Sequence, residues 1–221
     1  MKVFIGYDSR EDVAYQVCKY SLIKHQSKVE VIPLIQSDLR SSGCYYRPFD
    51  EPSSTEFSYT RFLTPHLSNY SGWSVFCDCD FLWLSDIEEL FKFRDDKYAV
   101  LVVKHEYNPI NKIKMDGQLQ VNYPRKNWSS LILWNCNHPS NKNLNVETVN
   151  KLSPQELHRF TWLKDDEIGE LPLEWNWLVG WYKEGNPKAL HYTEGGPWFE
   201  NYRDCEYSEI WKKYFGEMSN V

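Results

Sequence analysis

Two aspartates one residue apart, Asp78 and Asp80, stand inside an otherwise apolar run, FCDCDFLWL, from Phe76 to Leu84. In an extended chain side chains alternate between faces. A strand from Trp73 to Asp80 would therefore turn Asp78 and Asp80 to one side and Cys77 and Cys79 to the other. Two carboxylates so placed repel each other and lose hydration, and positive charge between them relieves both costs. A hard divalent cation does this, with carboxylate oxygens as ligands of Mg2+ or Mn2+. A blander reading gives one Asp to the cap of the following turn and the other to an Arg or to water. The apolar neighbours Phe81, Leu82 and Trp83 leave the pair little solvent and favour the cation.

The elements that must position this pair follow from the pattern of apolar residues and turn formers. KVFIGY (Lys2 to Tyr7) reads as a buried strand. A helix from about Arg10 to Gln26 follows, with Ser9 as N-cap and Asp12 three residues on. VEVIPLI (Val29 to Ile35) reads as a second strand, which Pro33 places at an edge. Strand, helix and strand at this spacing form a βαβ unit. Residues 37–52 read as a long polar loop, expected to close over a site as a lid. SSTE (Ser53 to Glu56) is a capping box for a helix reaching about Leu67. WSVFCD (Trp73 to Asp78), YAVLVV (Tyr98 to Val103) and SSLILWN (Ser129 to Asn135) read as further strands, and DIEELFKF as a short helix. SPQE (Ser153 to Glu156) marks a helix start, with Pro at the first helical position. A last helix is expected near Glu206 to Phe215. In open sheets of this kind ligands bind at the carboxyl ends of strands, which is where Asp78 and Asp80 fall.

The chain has 221 residues, with no internal repeat and no linker, so one α/β domain over residues 1–221 is expected. The formal net charge is −6 without a basic run, which argues against a nucleic-acid surface. No stretch approaches the ~20 apolar residues that span a bilayer, and the N-terminus lacks a signal-peptide core. A cytoplasmic location is the expectation. Six cysteines without a Cys-x-x-Cys pair argue against a zinc ribbon and read as reduced packing residues. Ten Trp and 15 Tyr suit a dense core or a site that stacks ring-shaped ligands.

Four blocks in order, FIGYDSRED, STEFSYTRFLTPHL, VFCDCDFLWLSDI and LHYTEGGPWF, resemble nucleotide-sugar glycosyltransferases of the GT-A fold. The nearest likeness is glycosyltransferase family 8, the glycogenin and lipopolysaccharide galactosyltransferase group. The resemblance runs over most of the chain. It implies a Rossmann-like N-terminal nucleotide-binding half and a mixed central sheet flanked by helices. It also implies that Asp78 and Asp80, with His191 as third ligand, hold Mn2+ (or Mg2+) against the diphosphate of a UDP-sugar. Gly6, Tyr7 and Asp8 match the strand end that contacts uracil and ribose. Arg61 matches a donor-contacting arginine, and Asn127 matches the segment lining the donor sugar. Pro197 and Trp198 match the family's Pro-Trp, but Gly196 stands where the family has a basic residue reaching the diphosphate. The family's Asp-Gln-Asp motif has only KDDE here, with Asp165 or Asp166 as stand-in, and Asp166 is taken as the catalytic candidate. LPLEWN resembles the family's block around Trp175 and Asn176.

The resemblance implies transfer of a hexose from a UDP-sugar to a hydroxyl acceptor, a glycan, lipid-linked sugar or small molecule, with retention of configuration. The acceptor would attack on the face the diphosphate leaves, and a phosphate oxygen would take the proton, so no protein nucleophile is named. The chemistry of the residues agrees. A departing diphosphate needs positive charge where negative charge develops. Each residue also has a plainer reading: His191 as a core histidine, Arg61 as partner of Glu56 or Asp12, Asp8 as a turn former, Trp175 and Trp198 as core. Two rivals remain open. A metal-dependent nucleotidyltransferase or phosphohydrolase would also use paired aspartates, although neither a GxGxxG nor a Walker pattern is present. A non-catalytic sugar-binding module would explain the tryptophans and the missing lysine.

Overall fold

A computed structural model describes residues 1–48, 55–106 and 125–220. Its centre is a six-stranded sheet in the order β2-β1-β3-β6-β5-β7. The strands are β1 (Lys2–Gly6), β2 (Glu30–Leu34), β3 (Trp73–Cys77), β5 (Val100–Val102), β6 (Leu131–Asn135) and β7 (Ile168–Glu170). Only β6 runs against its neighbours; the pairs β1–β2, β1–β3 and β5–β7 are parallel. A second sheet holds β4 (Phe81–Trp83), β9 (Ala189–His191) and β8 (Trp177–Leu178), in that order. The sheet is mixed and flanked by helices, as the sequence reading expects.

The apolar runs explain the layering. Val3, Phe4 and Ile5 of β1, Val75, Phe76 and Cys77 of β3, and all of β6 are buried, the signature of strands covered on both faces. β2, with Pro33, lies at the edge, where the missing N–H costs no ladder bond. Helix α1 (Asp12–His25) packs Val17 toward β4 and against the C-terminal helix Ser208–Met218 in a second cluster that contains Leu82, Trp177, Tyr192, Trp211 and Tyr214. All six cysteines are free thiols. No helix among the described residues is long and apolar enough to cross a membrane.

Three elements differ from expectation. The N-terminal turn is capped by Asp8, not Ser9: Asp8 Oδ1 accepts the Arg10 N–H at 2.9 Å, and one 3-10 turn (Ser9–Glu11) precedes α1. The helix expected up to Leu67 is a series of turns, a 3-10 stretch (Thr60–Leu63) and the short helix α3 (Thr64–Leu67). Ser53 and Ser54, half of its expected capping box, lie outside the described residues, as do residues 49–52 of the expected loop. The start of that loop is helical instead, in α2 (Gln36–Ser41). The capping box at Ser153 is present as expected. Glu156 N–H donates to Ser153 Oγ at 3.2 Å, and Ser153 N–H to Glu156 Oε2 at 2.8 Å, opening the helix Pro154–His158.

Asp8 is completely buried and has no spare bonding side. Besides the Arg10 N–H, it accepts Arg10 Nε at 3.0 Å, Arg10 Nη2 at 2.7 Å and the Glu56 N–H at 3.1 Å. It therefore ties the β1–α1 turn to the segment before Thr60. Burial would raise its carboxyl, but the Arg10 guanidinium and the N–H groups of Arg10 and Glu56 outweigh burial and hold it below the usual carboxylate range.

Two predictions follow from these packing roles. A depressed folded value gives stability that is complete above the unfolded carboxylate pKa of about 3.9 and is lost as pH falls through the folded one. Urea melts of wild type should therefore lose stability below about pH 4, and Asp8→Asn, already weaker at neutral pH, should lose less over that range. Asn141 is completely buried and donates from Nδ2 to the carbonyls of Ala99 and Asn135, both at 2.8 Å, holding the start of β5 to the end of β6. Asn141→Ala should cost about 2 kcal/mol in the same melts, without altering ligand binding.

Candidate active site

The chain leaves the six-stranded sheet at Cys77 and enters the three-stranded one at Phe81. Asp78 and Asp80 lie in the turn between them, not in one continuous strand. Two backbone bonds pin the turn: Asp78 N–H donates to the Ser130 carbonyl at 2.9 Å, and Tyr192 N–H donates to the Asp80 carbonyl at 3.1 Å. In the antiparallel pair β4–β9 the partner of Phe81 is His191, so the histidine arrives beside Asp80 by register. The ligand atoms of Asp78, Asp80 and His191 all lie within 4.8 Å of one another, and His191 Nε2 is 3.4 Å from Asp80 Oδ2.

Supporting groups fix two of the three, His191 and Asp78. His191 is buried, stacked on Phe81 with ring centroids 4.6 Å apart, and its Nδ1 is 2.9 Å from Asn176 Oδ1. The Asn176 amide donates from Nδ2 to Ser130 Oγ at 2.9 Å and to the Asn127 carbonyl at 3.3 Å, which leaves its oxygen to accept. The proton then sits on His191 Nδ1, and the Nε2 lone pair faces the carboxylates, as a metal-binding imidazole requires. Arg61, with its side chain 6% exposed, places Nη1 at 2.8 Å from Asp78 Oδ1 and 2.9 Å from the Ser129 carbonyl. Its guanidinium also lies 5.2 Å and 5.0 Å from the Phe57 and Phe76 ring centroids. In so desolvated a place, loss of either partner would strand a charge.

Glu11 adds a further carboxyl. Burial, then the charges of Asp80 and Asp8, push it up to about 8. The charge part of this shift comes from the same carboxylates that would draw a cation.

The remaining candidates divide. Gly6 ends β1 beneath Phe57; a Cβ there would stand 2.3 Å from the Phe57 ring. Tyr7 donates to Asp12 Oδ1 at 3.0 Å and packs edge-on against Tyr15. Asn127, at φ 63°, joins the cluster's support through Asn176, and its Oδ1 accepts from Thr193 Oγ1 at 3.5 Å. Pro197 is buried, and Trp198 packs on Tyr192, Phe199 and Trp211. A Cβ on Gly196 would fall 1.9 Å from the Trp198 ring, so this packing leaves no room for the lysine of the resembled family.

Asp166 is not brought to the cluster. It is exposed on the turn before β7, beside Asp165, which pairs with Arg125 at 2.5 Å. β7 runs the same way as β3, and Ile168 stands level with Val100, the partner of Trp134, itself the partner of Ser74. Asp166 is thus at the opposite end of the sheet from Asp78. The assignment by spacing is corrected: the Leu-Pro block that follows is close behind β7, so the acidic residues fall ahead of the strand instead of beyond it.

Sequence reading gave no role to Glu11, to the Asn176 amide or to His105. Asn176 lies inside the LPLEWN block, which is its signal in the sequence; the other two are revealed only by the packing.

No family model matches the chain. Among solved structures, the apo form of the bifunctional glycosyltransferase WbbM superposes with a TM-score of 0.66 at 16% identity, covering 100% of this chain and 51% of its own. The glycosyltransferase GlyE of Streptococcus pneumoniae TIGR4 gives 0.63 at 14% identity, covering 99% and 63%. The chain thus spans about half to two thirds of those two. The galactosyltransferase LgtC, solved with donor and acceptor sugar analogues, gives 0.61 at 13% identity, covering 100% and 97%. The fold is that of the GT-A glycosyltransferases. At the level of sequence, Protein CDI of Arabidopsis thaliana is 54% identical over 217 residues, which cover 95% of this chain and 84% of that protein. The chain belongs to the family of Protein CDI.

Proposed function

We propose that this chain is a metal-dependent glycosyltransferase that moves a hexose from a UDP-sugar to a hydroxyl acceptor with retention of configuration, within one domain over residues 1–221. The observation that supports it is the convergence of Asp78, Asp80 and His191 where two sheets meet, on a fold shared with known glycosyltransferases. Two hard carboxylates and one imidazole whose Nε2 lone pair is held toward them suit Mn2+, and Mg2+ with less from the nitrogen. A cation so held supplies Lewis-acid stabilisation of the departing diphosphate.

In this reading the chain's own residues bind and orient. Asn176 holds the His191 tautomer, and Arg61 fixes Asp78. Gly6 and Tyr7, with Asp8 holding the turn behind them, form the edge that receives the nucleoside. Asn127, Gly196, Pro197 and Trp198 border the donor sugar and diphosphate. Asp166 is left out. The acceptor hydroxyl attacks on the face the diphosphate leaves and gives its proton to a phosphate oxygen, so no protein nucleophile is needed. The expected setting is cytoplasmic.

The test is release of UDP from a panel of UDP-sugars with Mn2+. One donor should be consumed, with dependence on metal, and Asp80→Asn should lower the rate by at least about 100-fold, the scale of removing a transition-state stabiliser. Asn176→Leu, which removes the tautomer lock, should weaken Mn2+ binding about 10- to 100-fold by paramagnetic titration. Consumption of nucleoside triphosphates in place of UDP-sugars would identify a nucleotidyltransferase or phosphohydrolase. Sugar binding without turnover would identify a binding module.

A further inference from the structure

His105 follows β5 by three residues and is 6% exposed. Its Nδ1 is 2.7 Å from the Tyr182 hydroxyl, and its carbonyl accepts the Trp128 indole N–H at 3.2 Å. Among the described residues the other ring nitrogen, Nε2, is buried without a hydrogen-bond partner. Burial, and then the nearby His191, push its pKa down to about 3, so the ring stays neutral at physiological pH. A phenol hydroxyl donates to an imidazole nitrogen more readily than it accepts from one. The ring proton therefore sits on Nε2, which becomes a buried donor unbonded among the described residues.

Three connections place His105 on the cluster's side of the sheet. β5 and β3 run the same way on either side of β6, so His105 and Asp78 follow strand ends at one edge of the sheet. Trp128, bonded to the His105 carbonyl, adjoins Asn127, which meets Asn176 and Thr193. Tyr182 packs on Trp177 with ring centroids 5.0 Å apart, and Trp177 follows Asn176. An unsatisfied buried donor is rare in a folded protein and costly to keep. At a site edge it marks where a ligand acceptor belongs.

We propose that His105, oriented by Tyr182, donates from Nε2 to a hydroxyl oxygen of the sugar lying beside Asp78, Asp80 and His191, and so selects which sugar is accepted. This rests on the glycosyltransferase reading. It names a specificity residue that neither the metal cluster nor the nucleoside edge supplies. A sugar lacking that hydroxyl, or carrying it in the other configuration, leaves the donor unbonded and is disfavoured.

The test compares H105F and H105Q with wild type. Phe fills the volume without the donor; Gln keeps an N–H at nearly the same reach. H105F should raise KM about tenfold for one sugar substrate, the loss of one hydrogen bond to a hydroxyl. H105Q should stay within about threefold, and the Kd for UDP, which has no hexose, should not change in either variant. A rise confined to the donor assigns the hydroxyl to the transferred sugar; a rise confined to the acceptor assigns it there. In wild type the His105 imidazole 15N resonances should shift on adding the UDP-sugar and not on adding UDP. Unchanged KM for both substrates in H105F, or a parallel loss of UDP affinity, overturns the role of His105 and leaves the transferase reading standing. Failure of wild type to bind UDP with Mn2+ overturns that reading and this inference with it.

Discussion

Only three residues separate the last residue of β3 from the first of β4, and those strands belong to different sheets. So short a connection leaves no freedom to point two side chains apart. Asp78 and Asp80 are held together by the change of sheet itself, and the β4–β9 register then delivers His191 to the same point. The rest of the site depends on this junction. Burial, and then the carboxylates of Asp80 and Asp8, raise the proton affinity of the neighbouring Glu11. Like charges at this spacing persist in a folded chain when countercharge is near, and Arg61 supplies part of it inside the protein.

Around the junction, one amide does the positioning. Asn176 receives the His191 ring N–H on its oxygen and spends its nitrogen on Ser130 and Asn127, two residues of the segment leading into β6. Ser130 in turn receives the Asp78 N–H on its carbonyl. The metal-ligand candidates and the loop before β6 thus share one hydrogen-bond network with a single consistent set of donors and acceptors. A network of this kind is worth more intact than its separate bonds suggest, because a half-satisfied member leaves a buried polar group exposed to a low dielectric. It also explains why the residues with the least chemistry of their own, an amide and a serine, set the geometry of those with the most.

The sheet and much of the core were legible in the sequence. Uninterrupted apolar runs in β1, β3 and β6, Pro33 at the edge and the Ser153 box each rest on local rules that tertiary contacts did not override. The convergence of Asp78 and Asp80 was also legible, but for a different reason than the one found. Extended pleat and tight turn both bring residues two apart together, and pattern alone does not separate them. Asp8 displaced Ser9 as cap because its carboxylate also reaches the Arg10 side chain and the Glu56 N–H, a partner 48 residues on that no local rule sees. Asp166 misled because spacing against a motif says nothing about which end of a strand a residue occupies. His105 was hidden because its chemistry lies in what fails to bond it.

The glycine at 196 sharpens how this site must handle charge. A side chain there collides with Trp198, whose ring is packed among Tyr192, Phe199 and Trp211, so the absent lysine is part of the core's construction and not a simple vacancy. Among the described residues, Arg10 is committed to Asp8, and Arg61 to Asp78 and the Ser129 carbonyl. A diphosphate arriving here would add negative charge to a corner that is already negative. For the proposed reaction a divalent ion entering with the substrate would supply countercharge. Metal and nucleotide should then bind as a coupled pair, each raising the affinity of the other by the same factor.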